Sequence, residues 1–163
     1  MGHRANFVVI ENNAAQAYYD TWAGLGAAFA IADGPGPAVE SLKAFAPTTT
    51  LLDWDLAEGG FLIDFDQSLV IVFGELEELF HEFADYDDEA GDEAGDEAGS
   101  NAERYRDYFT QIAPHWRGWC LRYDDSGVDA FAEHLKQRDI FSIDTPEPSH
   151  PKSRERFELV ESR

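Results

Sequence analysis

Two strand-like runs separated by a short polar turn place the strongest constraint on how this chain can fold. The first run, residues 61–66, reads Phe-Leu-Ile-Asp-Phe-Asp, and the second, residues 69–73, reads Leu-Val-Ile-Val-Phe. Aliphatic, β-branched and aromatic side chains fit the pleated surface of a sheet, and Gln67-Ser68 is short enough to connect antiparallel neighbours. We therefore predict a β-hairpin at the centre of the sheet.

Other segments of the chain divide into strand-like and helix-like patterns. A second hairpin is predicted at residues 6–22, where Asn12-Asn13 forms the turn. Residues 119–123 are typical of one more strand. Apolar side chains recur with helical spacing in residues 38–46, 75–83, 101–113 and 128–135. These segregated hairpins and helices favour an α+β fold, with an antiparallel sheet built from two hairpins plus one strand and helices packed on one face.

The length of 163 residues and the hydrophobic content of 44% fit one domain. We expect residues 1–140 to form it, with a disordered acidic insertion at about 86–101. Three prolines and mixed charge predict a flexible or surface-draped tail over residues 141–163. No run of 18 apolar residues and no signal-peptide pattern occurs, so we expect a cytoplasmic protein that does not associate with a membrane.

Acidic residues dominate the charge, and they are concentrated in one segment. The formal net charge is -21, and residues 75–103 contain thirteen Asp and Glu but no Lys or Arg. This balance disfavours direct binding to nucleic acid, which needs cationic side chains against phosphates. The tandem Glu-Ala-Gly-Asp repeat at 89–99 is either a solvated spacer or an arm that engages a basic protein. The acidic residues assigned to that interaction are Asp87, Asp88, Glu89, Asp92, Glu93, Asp96 and Glu97.

The composition has a second interpretation, which concerns environment and not function. The chain contains three Lys against nine Arg, and its acidic residues occur along most of its length. This halophilic-like composition is typical of adaptation to high salt, where negative charge preserves solubility.

No group of residues reaches the specificity of a catalytic motif. Asp64 and Asp66 lie two apart on a predicted strand and could hold a hard cation, but the alternative role, in a turn at the sheet rim, is favoured. The five histidines are scattered without metal-ligand spacing, and Cys120 fits a buried core thiol. We therefore expect no catalytic residues, no metal and no cofactor, and an enzymatic role is not favoured.

Four short blocks carry a resemblance to other proteins. They are Gly2-His3-Arg4-Ala5-Asn6, Tyr18-Tyr19-x-x-Trp22, Ala57-Glu58-Gly59-Gly60 and Trp116-Arg117-Gly118-Trp119. The chain resembles, over roughly residues 2–135, a family of small uncharacterised bacterial proteins that open with a Gly-His-Arg-Ala-Asn strand. The resemblance implies a single α+β domain and no established activity. The chain departs from the family at Asp20-Thr21, where a Ser-His pair is common in the family. This difference argues against transferring any histidine-based chemistry from relatives to this chain.

Polar residues near predicted strand ends form the candidate binding site. Their side chains could converge on one polar site, or an Arg-carboxylate bridge could simply fix the sheet and a loop. Tyr and Trp side chains nearby could supply a contact face. The assigned residues are Arg4, Asn6, Tyr19, Trp22, Glu58 and Trp119.

Two functions follow from these patterns. The leading hypothesis is an acidic protein-binding module, of the inhibitor or immunity type, that engages a basic partner. The alternative is a small ligand-binding domain or enzyme with its polar site near Arg4, Tyr19 and Glu58. The oligomeric state does not follow from the sequence.

Overall fold

Seven strands form one mixed β-sheet in the computed structural model of the chain, which describes residues 4–21, 27–51, 58–74, 101–145 and 156–160. The strands are β1 (Ala5–Glu11), β2 (Ala14–Asp20), β3 (Ala46–Thr48), β4 (Gly59–Asp64), β5 (Leu69–Phe73), β6 (Cys120–Asp124) and β7 (Arg156–Val160). Their spatial order is β3-β2-β1-β4-β5-β6-β7. The central position of β4 and β5 agrees with the buried, strand-rich runs in the sequence.

Both predicted hairpins are confirmed. β1 pairs antiparallel with β2, and β4 pairs antiparallel with β5. Asn12 and Asn13 have φ angles of 56° and 63°, and asparagine tolerates such positive values better than most residues. The turn chemistry and the apolar runs were therefore sufficient to identify these local pairings.

The prediction of a purely antiparallel sheet is wrong. β1 runs parallel to β4, and β5 runs parallel to β6. Residues 21–58 lie between β2 and β4, and residues 74–119 lie between β5 and β6. Connections of this length allow a strand to enter the sheet in the same direction as its neighbour. The two hairpins are consequently joined through a parallel pair at the centre of the sheet.

The helices pack on both faces of the sheet, so their predicted placement on one face is also wrong. The helices are α1 (Pro35–Leu42), α2 (Asn101–Ile112) and α3 (Val128–Gln137), with short 3₁₀ helices at Ala27–Ile31 and Ala113–His115. Side chains of α1 and α2 belong to one hydrophobic cluster with Phe61 and Ile63, whereas those of α3 belong to a second cluster with Leu62. Successive strand residues point to opposite faces, so the sheet has a hydrophobic core on each side.

Burial on both faces explains the composition of the central strands. All six residues of β4 and all five of β5 are buried. A sheet with one solvated face would show alternating polar and apolar residues, while a sheet covered on both faces gives nearly continuous apolar runs. Asp64, the last residue of β4, is the exception, and its partners form part of the site described below.

Three aromatic side chains connect α2 and the segment after it to the rest of the fold. Trp116 Nε1 donates to the Ile31 carbonyl at 2.8 Å, and Tyr108 OH donates to the Ala28 carbonyl at 2.6 Å. Tyr105 OH donates to the Gly74 carbonyl at 2.7 Å. All three side chains are buried, so each polar atom is satisfied where water is scarce.

The ends of the helices and the C-terminal region differ in detail from the predictions made from the sequence. α1 covers residues 35–42 and not 38–46, because residues 46–48 pair with β2 as β3. Residues 156–160 form β7 against β6, in a region where no strand was predicted. The helix predicted at 75–83 lies outside the described residues, and so does the predicted insertion up to Asn101, where α2 begins.

Candidate functional site

The register of the sheet brings four of the predicted binding residues to one end. We call this end, where β1 and β4 begin, the Arg4 edge. Asn6 lies directly opposite Tyr19 on β2 and opposite Gly60 on β4. The Glu58 backbone N–H donates to the Arg4 carbonyl at 2.7 Å, which continues the pairing beyond the strands. Arg4, Asn6, Tyr19 and Glu58 therefore share this edge, as their positions at strand ends suggested.

Close backbone packing builds the Arg4 edge. Gly60 has a φ angle of 155°, and a Cβ atom at this position would lie 1.9 Å from the Asn6 carbonyl oxygen. Only glycine allows that approach. The Asn6 side chain is fully buried, whereas Arg4 and Tyr19 are partly buried and Glu58 is exposed. The edge can thus offer a carboxylate, a phenol and a guanidinium to a partner while Asn6 stays inside.

The remaining predicted binding residues do not join this edge. Trp119 precedes β6, whose first residue pairs with Leu69 at the opposite end of the sheet. Its ring packs edge-on against Trp116 and Phe65, with centroids 5.0 and 5.5 Å apart. Trp22 and the seven acidic residues of the predicted interaction segment lie outside the described residues. Trp119 therefore cannot share one compact site with Arg4.

The opposite end of the sheet holds a cluster of charged side chains, which we call the Arg138 clamp. Arg138 Nη1 donates to Asp64 Oδ2 at 2.6 Å. Arg138 Nη2 donates to Asn13 Oδ1 at 2.6 Å and to Asp66 Oδ2 at 3.0 Å. The Asp64 side chain is fully buried, and only 10% of the Arg138 side chain is exposed. One guanidinium therefore connects the segment after α3 to both hairpin turns.

Asp66 has a further role in this clamp. Its carboxylate accepts hydrogen bonds from the backbone N–H groups of Asn12 and Asn13 at 2.9 and 2.8 Å. The N–H groups of Asn13 and Asn12, followed by the Arg138 guanidinium, lower the pKa of Asp66 from its ordinary value. Asp64 and Asp66 thus both bind Arg138. This arrangement favours the predicted role in a turn at the sheet rim over the alternative that the two carboxylates hold a hard cation.

His134 extends the clamp into the core beneath α3. Its Nε2 atom lies 2.8 Å from Asp64 Oδ2, and its side chain is 5% exposed. A ring N–H that faces a carboxylate fixes the tautomer, so Nε2 carries the proton and Nδ1 is left as an acceptor in the neutral ring. Nδ1 is buried and has no hydrogen-bond partner in the part of the chain that the structure describes.

The sequence contained only a weak signal for this histidine. His134 lies between Phe131 and Leu135 on the buried side of α3, but its partner Asp64 is 70 residues away. A polar residue on an apolar helical face indicates a buried partner without identifying it. Asp64, Arg138 and His134 were therefore not grouped by their spacing.

His134 also lines a cleft between α3 and strands β5 to β7. The cleft has a volume of about 40 Å³, and Ile71 is one of the residues that line it. Arg122 and Arg156 line the strand side, while Glu133 and Gln137 line the helix side. The cleft therefore combines an imidazole with groups of both charges.

The strand side of the cleft contains two ion pairs. Arg122 Nε donates to Glu158 Oε2 at 2.6 Å, and Arg156 Nε lies 3.3 Å from Asp124 Oδ2. Arg122 lies opposite Glu158 in the β6–β7 register, and Asp124 lies opposite Arg156. Both arginines consequently project on the same face of the sheet as the cleft.

Cys120 has the properties of a packed thiol. It is partly buried, and burial followed by the charge of Glu158 raises its pKa to about 11. A thiol with this pKa stays protonated at neutral pH and is a poor nucleophile. Among the described residues, no three His, Cys, Asp or Glu side chains lie together where they could hold a metal ion.

No family model matches the chain, and no curated protein or solved structure matches it either. Within the described ranges, no helix has both the length and the apolar character required to cross a membrane. The arrangement of the chain's own residues is therefore the basis for inferring a function.

Proposed function

We propose that the chain is an acidic protein-binding module of the inhibitor or immunity type, which acts in the cytoplasm on a basic partner. The observation that carries this proposal is the charge of residues 75–103, which contain thirteen acidic residues and no Lys or Arg. A concentrated field of one sign accelerates encounter with a partner of the opposite sign and disfavours other partners.

The anchoring of the flanking chain supports the proposal. Tyr105, in the first half of α2, donates to the carbonyl of Gly74, which directly follows β5. This hydrogen bond holds together the chain positions on either side of residues 75–100. Phe73 pairs with Gly60, so this point belongs to the Arg4 edge, where Glu58 is exposed. The acidic segment is thus attached at the end of the sheet that also presents a carboxylate.

The first test is affinity capture from the lysate of the source cell at its native salt. The full chain is compared with a variant that lacks residues 87–99. We expect a basic protein in stoichiometric amount with the full chain and none with the deletion. Calorimetric titration of the recovered protein should then show binding that weakens as salt screens the charge. Equal recovery with both proteins would contradict the proposal.

Two matched variants separate charge from sequence. In the first, all seven assigned acidic residues are replaced by Asn or Gln, which keeps length and polarity. In the second, residues 87–99 are scrambled, which keeps length and charge. The electrostatic proposal predicts loss of binding in the first variant and retention in the second. Unchanged thermal unfolding of both variants would show that the fold is intact.

The alternative function, a small-ligand site near Arg4, Tyr19 and Glu58, is favoured by the register that collects these residues at one edge. Arg4→Ala and Glu58→Gln distinguish a site from a structural bridge. If Arg4 only connects the sheet and a loop, Arg4→Ala lowers the melting temperature. If the residues bind a ligand, Arg4→Ala leaves stability nearly unchanged and Glu58→Gln abolishes binding.

A further inference from the structure

We propose that β7 pairs antiparallel with β7 of a second copy of this chain, which joins the two sheets into one continuous sheet. In this pairing, Arg156 of each copy lies opposite Glu158 of the other copy, and the two Phe157 residues lie opposite each other. The interface is separate from the acidic segment, and it does not depend on the function proposed above.

The first support is the position of β7 at the edge of the sheet. β6 pairs with β7 on one side, and no strand of the described residues pairs with its other side. Backbone N–H and C=O groups that point outward from an edge strand are able to pair with another chain. The other outer strand, β3, has only three residues and includes Pro47, which has no N–H to donate. β7 has five residues and no proline, so it is the edge to which a strand is more readily added.

The second support is the charge pattern on the face of the sheet that α3 covers. Within one copy, Arg122 pairs with Glu158, its direct neighbour in the β6–β7 register. Arg156 pairs with Asp124 in the same way. A two-fold axis at Phe157 places Arg156 opposite Glu158 of the second copy, and the same contact forms twice. Across the four strands, each row then reads Asp124, Arg156, Glu158 and Arg122, so that negative and positive charges alternate without interruption.

The charged residues of β7 are accessible for this contact, and they select one register. The exposed fraction is 49% for the Arg156 side chain and 44% for the Glu158 side chain. Directly opposite residues of antiparallel strands have Cβ atoms about 4.5–5.5 Å apart, within reach of both side chains. A shift of two residues in either direction would place Glu158 opposite Glu158, or Arg156 opposite Arg156. Like charges in these positions are destabilising, so the neighbouring registers are disfavoured.

The opposite face of the interface is apolar. Phe157 is partly buried against Phe109 of α2, and the two ring centroids are 6.0 Å apart. The proposed register brings Phe157 of the second copy next to this ring. Aromatic cross-strand pairs stabilise antiparallel strands, so the hydrophobic cluster continues across the interface.

Local neutrality allows two acidic chains to approach each other at β7. The formal net charge is -21, but residues 146–163 contain four acidic and four basic residues. α2, which packs on β7, contains two of each. At about 0.15 M salt the Debye length is about 8 Å, so repulsion between more distant charges of the two copies is largely screened. Net charge therefore does not prevent association through this edge.

Sedimentation equilibrium of the full chain at about 0.15 M salt measures the association. A single five-residue strand buries less area than the roughly 800 Å² per partner of a standard interface, so we expect a reversible dimer with a Kd on the order of 100 µM. Amide hydrogen exchange at about 10 µM and about 1 mM then locates the interface, because the dimer is rare at the lower concentration and dominant at the higher one. Exchange within residues 156–160 should be slower at the higher concentration.

Charge variants test the pairing itself. Arg156→Glu makes the edge acidic, and Glu158→Arg makes it basic. Each variant alone places like charges opposite each other and should weaken the dimer at least about tenfold. An equimolar mixture should restore the dimer, because acidic positions of one copy then face basic positions of the other. Arg117→Gln, an exposed control outside β7, should associate as the native chain does.

Four results would overturn the proposal. The first is an unmodified chain that stays monomeric at about 1 mM, which would leave the edge to a strand of another protein. The second is concentration-dependent protection that lies only outside residues 156–160. The third is a dimer of undiminished affinity in Arg156→Glu, and the fourth is a mixture of the two folded variants that stays monomeric. The first two results need only the unmodified chain, so a variant that fails to fold does not obscure them.

Discussion

Replacement of Arg138 by alanine should destabilise the fold substantially, although the residue follows the end of α3 and belongs to no strand. Its guanidinium contacts Asp64, Asp66 and Asn13 at once. The variant removes all three contacts and leaves the fully buried Asp64 carboxylate with His134 and one backbone N–H.

The magnitude follows from the burial of each contact. Removal of one partner from a buried ion pair costs about 3–5 kcal/mol when the other charge is left uncompensated. Asp64 keeps two hydrogen-bond partners, and the contacts to Asp66 and Asn13 lie nearer to solvent, where ion pairs contribute less. We therefore expect a loss of about 2–3 kcal/mol in the free energy of unfolding. For a chain of this length the melting temperature should fall by roughly 4–12 °C.

Urea denaturation followed by tryptophan fluorescence measures this loss. Arg138→Lys keeps the positive charge but cannot hold two carboxylates with a planar fork, so its loss should be intermediate. Arg117→Ala, at an exposed position, is the control and should change stability by less than about 0.5 kcal/mol. If Arg138→Ala costs less than about 1 kcal/mol, or no more than the control, the clamp does not stabilise the fold.

Three further predictions use the same urea assay. Gly60→Ala should cost more than about 4 kcal/mol or prevent folding, because its Cβ would meet the Asn6 carbonyl oxygen at 1.9 Å; a folded variant of near-native stability would contradict the close approach. Tyr108→Phe should cost about 1–2 kcal/mol, because the buried Ala28 carbonyl loses its donor, and no loss would show that the hydrogen bond is dispensable. The lowered pKa of Asp66 means that its contribution to stability is complete above the ordinary aspartate pKa and disappears as pH falls through the lowered value. The difference in stability between the native chain and Asp66→Asn should therefore shrink below about pH 4, and a difference independent of pH would refute this assignment.

Part of the candidate site followed from the sequence because strand ends are local features. Arg4 and Glu58 stand just before apolar runs, and the ends of neighbouring strands meet at one edge of a sheet. Trp119 also stands at a strand end, but β6 enters the sheet parallel to β5, which places that residue at the far end. The sequence could not show that Trp119 lies at the opposite end of the sheet from Arg4 and Glu58, because the direction of β6 depends on the path of the connection before it.

The residues of the Arg138 clamp and of the cleft were even harder to group from the sequence than those of the Arg4 edge. Asp64, Asp66 and Asn13 belong to two hairpin turns, and each turn was predictable from its own residues. Their common partner Arg138 lies 74 residues after Asp64 along the chain, and no periodicity connects them. Arg138 and His134 reach Asp64 only because α3 packs on the face of the sheet opposite α1 and α2.

The sequence by itself determined the two hairpins, most of the described helices and the concentration of negative charge, because each depends on neighbouring residues and on the geometry of a single element. The tertiary structure decided the parallel strand pairs, the helices on both faces, and the partners of Asp64 and His134. An apolar run specifies that a strand is buried but not which strand lies beside it. Likewise, a polar residue on a buried face requires a partner, and only the packing of distant elements supplies one.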